Sequence, residues 1–208
     1  MNLSEMRARV RRDLHDEDPD NYRWSDDTLD RHVERAVREL SGASPLQATA
    51  TLETAEGSRE LSLAELDGLV QVEAVEYPVG LYPLSCVRFS VWGDTLTLLV
   101  DRTPSAGDEV KLYYGRLHTL DEEGCTIPQR LEDVVALGAE GYAAMEWASF
   151  ATNRVNAGGP DTWQQYLGWG QEQLARFHKR LASLSRRASV RARRLYPPAA
   201  SQPGVTGV

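Results

Sequence analysis

The sequence predicts an α+β fold: a four-helix bundle interrupted by an antiparallel β-rich insert, which forms a small sandwich or barrel. Three observations predict it. Apolar residues recur at steps of three and four near the start of the chain, as one buried helix face requires. From about residue 47 to 118 the period changes to short β-branched and apolar runs punctuated by glycine and proline, as strands and turns require. Helical period then returns and, in the last helix, becomes a regular heptad seam. The implied organisation is a helical bundle from residues 1–46 and 119–187, a β-rich inserted domain at 47–118, and a basic, then Pro/Gly-rich flexible tail at 188–208.

In the first helix, residues 3–15, Leu3, Met6, Val10 and Leu14 make the apolar stripe, with Asn2 or Ser4 as cap. Arg7, Arg9, Arg11 and Arg12 crowd its remaining surface and read as a solvated arginine face, and Pro19 ends the segment. The second helix opens at Trp24-Ser25-Asp26-Asp27. Ser25 suits the N-cap, Asp26 and Asp27 complement the helix dipole in the first turn, and Trp24 can staple onto Leu29. Leu29, Val33, Ala36, Val37 and Leu40 form the stripe, and Gly42 and Pro45 stop the helix. Strands are expected at residues 48–53, 70–79, 84–92, 94–100 and 109–117, with Gly93-Asp94 as a two-residue hairpin turn. Ile127-Pro128 opens a long helix to about Val155, and its Gly138, Ala139, Gly141, Ala143 and Ala144 leave room for a close neighbour.

The last helix, capped by Asp161 or Thr162, carries Trp163, Leu167, Gly170, Leu174, Phe177, Leu181 and Leu184 as an a/d seam. That seam packs either on the preceding helix or on another subunit. After Glu172 the chain has no acidic residue, whereas Arg176, Lys179, Arg180, Arg186, Arg187, Arg191, Arg193 and Arg194 are cationic. These cations suit nucleic acid, an acidic protein surface, or simply the negative end of the helix dipole. Leu195, Tyr196 and the following prolines would add apolar contact to a docked tail.

A net charge of -8 over 208 residues argues against a surface that grips nucleic acid throughout. Cys86 and Cys125 lie in no CxxC or Cys/His cluster and read as free thiols of a reducing compartment. The first thirteen residues have no apolar run, so no secretory leader is expected, and no stretch suits a membrane span. His15, His32, His118 and His178 are isolated from one another at metal-ligand spacing, and nothing matches HExxH, GxSxG, GxGxxG or a P-loop. Asp16, Asp18 and Asp20 alternate like a calcium loop but lack its glycine and distal glutamate. The carboxylate pairs Asp26-Asp27 and Glu122-Glu123 read as caps and loop residues. Neither catalytic residues, metal nor cofactor is expected. The stretch from Asp16 to Trp24 is too long for the turn of a DNA-binding helix-turn-helix.

Three stretches resemble head–tail connector proteins of tailed phages, also called adaptors or neck proteins. They are Leu3-Ser4-Glu5-Met6-Arg7-Ala8-Arg9-Val10-Arg11-Arg12-Asp13-Leu14, then Tyr22-Arg23-Trp24-Ser25-Asp26-Asp27-Thr28-Leu29, then Ile127-Pro128 with Leu131-Glu132-Asp133-Val134-Val135-Ala136-Leu137-Gly138-Ala139. The β insert is longer than in minimal adaptors and is similar in placement to that of larger neck proteins. The resemblance implies a structural virion protein, assembled in the host cytoplasm and located in the neck. It implies a ring, normally of twelve subunits, that binds the portal, continues the DNA channel without reading DNA sequence, and offers a platform for the next neck or tail protein. Arg186, Arg187, Arg191, Arg193, Arg194, Leu195 and Tyr196 are then the candidate portal-docking residues. The alternative is a DNA-binding accessory protein that uses the same arginine-rich segment.

Overall fold

The computed structural model describes residues 1–151 and 162–195, with side chains of the last helix described from Trp163 to Ala188. The chain divides into two compact units, one of Met1–Leu46 and Leu117–Arg187, the other built on Gln47–Arg116. The fold is α+β, with four helices and two antiparallel sheets among the described residues.

The first unit holds α1 (Leu3–Asp13), α2 (Asp26–Ala43), α3 (Gln129–Ala151) and α4 (Thr162–Leu195). Asn2 caps α1 in a capping box, accepting from the Glu5 backbone while the Glu5 carboxylate accepts from the Asn2 N–H. The Ser25 hydroxyl caps α2 by accepting from the Thr28 N–H at 3.2 Å. The core joins Met6 and Val10 of α1, Leu29, Val33, Ala36 and Leu40 of α2, Val135, Ala139 and Ala143 of α3, and Phe177 of α4. Small residues on α3 set how close its neighbours come. A Cβ on Gly138 would lie 2.9 Å from the Phe177 ring and 3.0 Å from Ala36 Cβ, and one on Gly141 would lie 2.8 Å from Leu174 Cγ. The helices therefore pack nearer than any side chain at these two positions permits.

The second unit holds β1 (Leu46–Glu53), β2 (Glu60–Ser62), β3 (Leu69–Glu76), β4 (Cys86–Val87), β5 (Phe89–Trp92), β6 (Thr95–Leu98) and β7 (Glu109–Arg116). One sheet runs β1-β7-β3-β4 and the other β2-β6-β5. Leu61, Leu96 and Leu98 from the second sheet join Val75, Val110, Leu112 and Tyr114 from the first in a single core. Two sheets facing across one apolar layer make a sandwich, so the barrel alternative is set aside. Trp92 pairs with Thr95 across Gly93-Asp94, and Gly93 takes φ +57°, as the first position of a tight hairpin turn demands.

Four sequence expectations need correction. α2 runs through Gly42 to Ala43, because one helical glycine costs only about 1 kcal/mol relative to alanine and does not by itself end a packed helix. The helix ends instead at Ser44, which Pro45 forces out of helical geometry (φ -149°, ψ 74°). The run 84–92 is not one strand. It breaks at Arg88, with β4 in one sheet and β5 in the other. β3 stops at Glu76 rather than Val79, and residues 77–85 form a loop. β2 was not expected at all. Its three residues are too few and too polar to show a period. The expected reach of α3 to about Val155 and the Asp161 cap fall on residues 152–161, outside those described.

Candidate assembly surfaces

Arg7, Arg9 and Arg11 of α1 do not form a solvated face, whereas Arg12 is exposed. Arg7 lays its guanidinium against both Asp30 carboxylate oxygens at 2.7 Å and also reaches Asp26 and Glu122. The Asp30 hydrogen bond holds the Arg7 pKa above its ordinary value. Arg9 bonds Asp133 of α3 at 2.7 Å. Arg11 is buried, with Nη1 on Asp16 at 2.6 Å and Nη2 on Asp26 at 2.6 Å and on the Trp24 carbonyl at 2.9 Å. The Tyr22 ring stacks on its outer face, 3.6 Å from the guanidinium carbon. One side chain thus ties the whole α1–α2 connection to α1. The Arg11 hydrogen bond is also the main reason the Asp26 carboxyl titrates below the usual range. Sequence periodicity missed Arg11, since an arginine among arginines carries no sign of burial. The Asp16 five residues on was the one available signal, and it was read as part of a calcium-like run.

The α2 N-terminus is packed rather than merely capped. Trp24 is buried and donates through Nε1 to the Ala143 carbonyl at 3.1 Å, its ring 5.6 Å from Trp147 and 6.4 Å from Tyr166. Asp27 is exposed. Further along, His32 Nε2 lies 2.5 Å from Glu146, which also accepts from Arg31, while the Tyr142 hydroxyl donates to Glu39 at 2.6 Å beneath the Arg35 guanidinium. Burial pushes the His32 pKa down against the pull of Glu146, and burial with the Glu39 bond pushes Tyr142 up to about 12. These groups pair among themselves between α2 and α3. Among the described residues no three His, Cys, Asp or Glu side chains are grouped to hold a metal ion, and no helix is long and apolar enough to cross a membrane.

Glu140 is the most perturbed acid. It is buried on α3 and hydrogen-bonded to the Asp13 carboxylate, and burial first, then Asp13, raise its pKa to about 8. An unfolded glutamate titrates near 4.3. Between these values the folded chain holds a proton that the unfolded chain has lost. Stability therefore falls as pH rises through this window and levels off above it. Glu140→Gln should flatten that slope and make the chain more stable than wild type at pH 9. Urea midpoints at pH 5, 7 and 9 check it, and a wild-type midpoint that does not fall across the series contradicts the assignment.

On α4, Phe177 is fully buried, and Trp163, Leu167, Leu174, Leu181 and Leu184 are half-buried. Tyr166, Trp169, Leu174, Leu181 and Leu184 pack against the bundle core. Arg186 and Arg187 are exposed. The helix backbone continues through Arg191, Arg193, Arg194 and Leu195, whose side chains lie outside the description, as does all of Tyr196. In the β unit, Leu81, Tyr82 and Leu84 of the 77–85 loop are exposed, as is Trp92 at the hairpin. Sequence reading missed this loop as a surface. Its signal was a run of eight uncharged residues, 78–85, in an otherwise charged insert.

No curated protein matches the chain. Among solved structures it is similar to a chain from the neck of an empty gene transfer agent particle computed with C6 symmetry, at 15% identity and a TM-score of 0.30, over 81% of this chain and 88% of that one. A chain from the virion of the native gene transfer agent particle is 16% identical at a TM-score of 0.30, over 81% of this chain and 87% of that one. The model of the SU10 adaptor protein family matches residues 1–201, nearly the whole sequence. The chain belongs to the SU10 adaptor protein family.

Proposed function

We propose that this chain is a structural head–tail adaptor of a tailed-phage-like particle. Copies form a ring in the virion neck that binds the portal, continues the DNA channel toward the tail and offers a platform for the next neck or tail protein. It works by protein–protein contacts without turnover. The family match over residues 1–201 is the observation that carries this reading.

Three physical features support it. Arg7, Arg9 and Arg11 of α1 are committed to Asp16, Asp26, Asp30, Glu122 and Asp133, so these three do not offer free cations to DNA. The net charge of -8 repels phosphates within the screening length of about 8–10 Å, which suits a channel that passes DNA without holding it. The cations after Glu172 gather at one end of the chain, where they suit an acidic site on the portal. In this reading the bundle of residues 1–46 and 119–187 and the insert of 47–118 build the ring, and the tail of 188–208 docks.

Reversing Arg186, Arg187, Arg191, Arg193 and Arg194 to Glu should lower portal affinity by more than about tenfold and leave the circular dichroism spectrum unchanged. Unchanged affinity in a pull-down with the cognate portal overturns the docking role. The same eight cations favour a second reading, a DNA-binding accessory protein. That reading requires duplex binding with steep salt dependence, and the absence of a gel shift at low salt removes it.

A further inference from the structure

The β unit carries both halves of a contact. One half is the loop after β3. It is closed at its base, where Tyr77 N–H donates to the Ser85 carbonyl at 2.9 Å and the Ser85 hydroxyl donates to the Tyr77 carbonyl at 3.0 Å. Inside, the buried Glu76 carboxylate accepts from Gly80 N–H at 3.0 Å and from the Tyr113 hydroxyl at 2.8 Å. The loop is therefore a built finger, and little ordering entropy remains to be lost on binding. Its tip is apolar. Tyr82 is 101% exposed, Leu81 54% and Leu84 50%, and residues 78–85 carry no charge.

The other half is a groove of about 720 Å³ walled by Leu63, Leu66, Leu69, Val72, Phe89 and Val91. Among the residues lining it, Asp94 alone is charged. The groove involves Leu69 and Val72 at the start of β3, whereas the finger leaves β3 after Glu76, at the strand's far end. At about 3.3 Å per residue Val72 and Leu69 lie roughly 13 and 23 Å from the strand's end, and Tyr82 is fully exposed, so the finger does not fill its own groove.

We infer that the Tyr82 finger of one copy seats in this groove of a second copy, its ring on the apolar side chains and its hydroxyl toward the polar part of the lining. This rests on the adaptor reading and gives its ring a specific contact. A second copy is the occupant because both halves lie on one chain and do not meet within it, and area sets how strong the contact is. Tyr82 with the exposed parts of Leu81 and Leu84 offers about 400 Å² of apolar surface, half of the roughly 800 Å² per partner of a stable pair. A contact that small does not hold a dimer in dilute solution. It suits copies that already stand side by side, each giving a finger to one neighbour and a groove to the other. Joining the far end of one unit to the near end of the next is a heterologous contact, and repeating it closes a ring when the rotation allows.

Disulfide trapping tests it. In a Cys86→Ser, Cys125→Ser background, one chain carries Tyr82→Cys and a second carries Ala64→Cys at the exposed groove wall. They are mixed free at high concentration, and also with the cognate portal. The expected result is a cross-link between the two chains in at least one mixture, and none when Glu56→Cys replaces Ala64→Cys. Tyr82→Asp, with an unchanged circular dichroism spectrum, should weaken self-association roughly thirtyfold, as loss of an interface hot spot does. No cross-link in either mixture overturns the finger-in-groove contact, and so does Tyr82 cross-linking only to a portal cysteine. A ring seen on the portal without the cross-link leaves the adaptor reading standing, whereas no portal binding at all defeats that reading separately.

Discussion

Phe177→Ala should destabilise the helical unit by about 3–5 kcal/mol. The ring is fully buried and lies against Gly138, at a point that Ala36 also approaches, while Tyr142 meets it edge-on with centroids 6.3 Å apart. A glycine and an alanine have no rotatable side chain to move into the space, so the cavity stays open and the cost falls at the high end. For a chain of this size the loss lowers the thermal midpoint by roughly 6–20 °C. Thermal denaturation followed by circular dichroism reads it directly. A change under about 1 kcal/mol would mean that α4 does not pack on α2 and α3 through this residue.

Arg11→Met should cost a similar 3–5 kcal/mol, for an electrostatic reason. The methionine keeps much of the stem's packing but removes the guanidinium from Asp16, whose side chain is 3% exposed. Asp16 then retains only the Arg23 N–H at 2.8 Å, and the Trp24 carbonyl loses its donor. Most of the cost is the stranded carboxylate rather than the lost attraction. The double variant Arg11→Met, Asp16→Asn should therefore recover a large part of the stability, and a double-mutant cycle in urea measures the coupling. Additive losses at the two sites would show that the pair is not coupled in the way the geometry indicates.

The helices were readable because each repeats one signal several times. Met6 and Val10, or Leu29, Val33, Ala36 and Leu40, mark a buried face by spacing alone, and all are buried. The small residues of α3 were equally plain, because Gly138 and Gly141 have little reason to sit mid-helix unless a neighbour comes close. The strands were less legible. Glu60–Ser62 is held by its pairing with β6 and by Leu61 in the core, both of them long-range facts. The switch of sheet at Arg88 likewise depends on which partner each half of the run finds. Two features of the surfaces escaped for a related reason. The burial of Arg11 follows from the fold of the 14–24 connection, and the exposure of Tyr82 from a loop closed by Tyr77 and Ser85. Neither has a period, so pattern reading could not see them.

The most direct test of the adaptor reading is electron microscopy of the chain mixed with its cognate portal, at concentrations where the free chain is monomeric by sedimentation. The reading predicts a ring of copies stacked coaxially on the portal, continuing its channel. Portal particles with no added density, or with copies bound away from the channel axis, would contradict it.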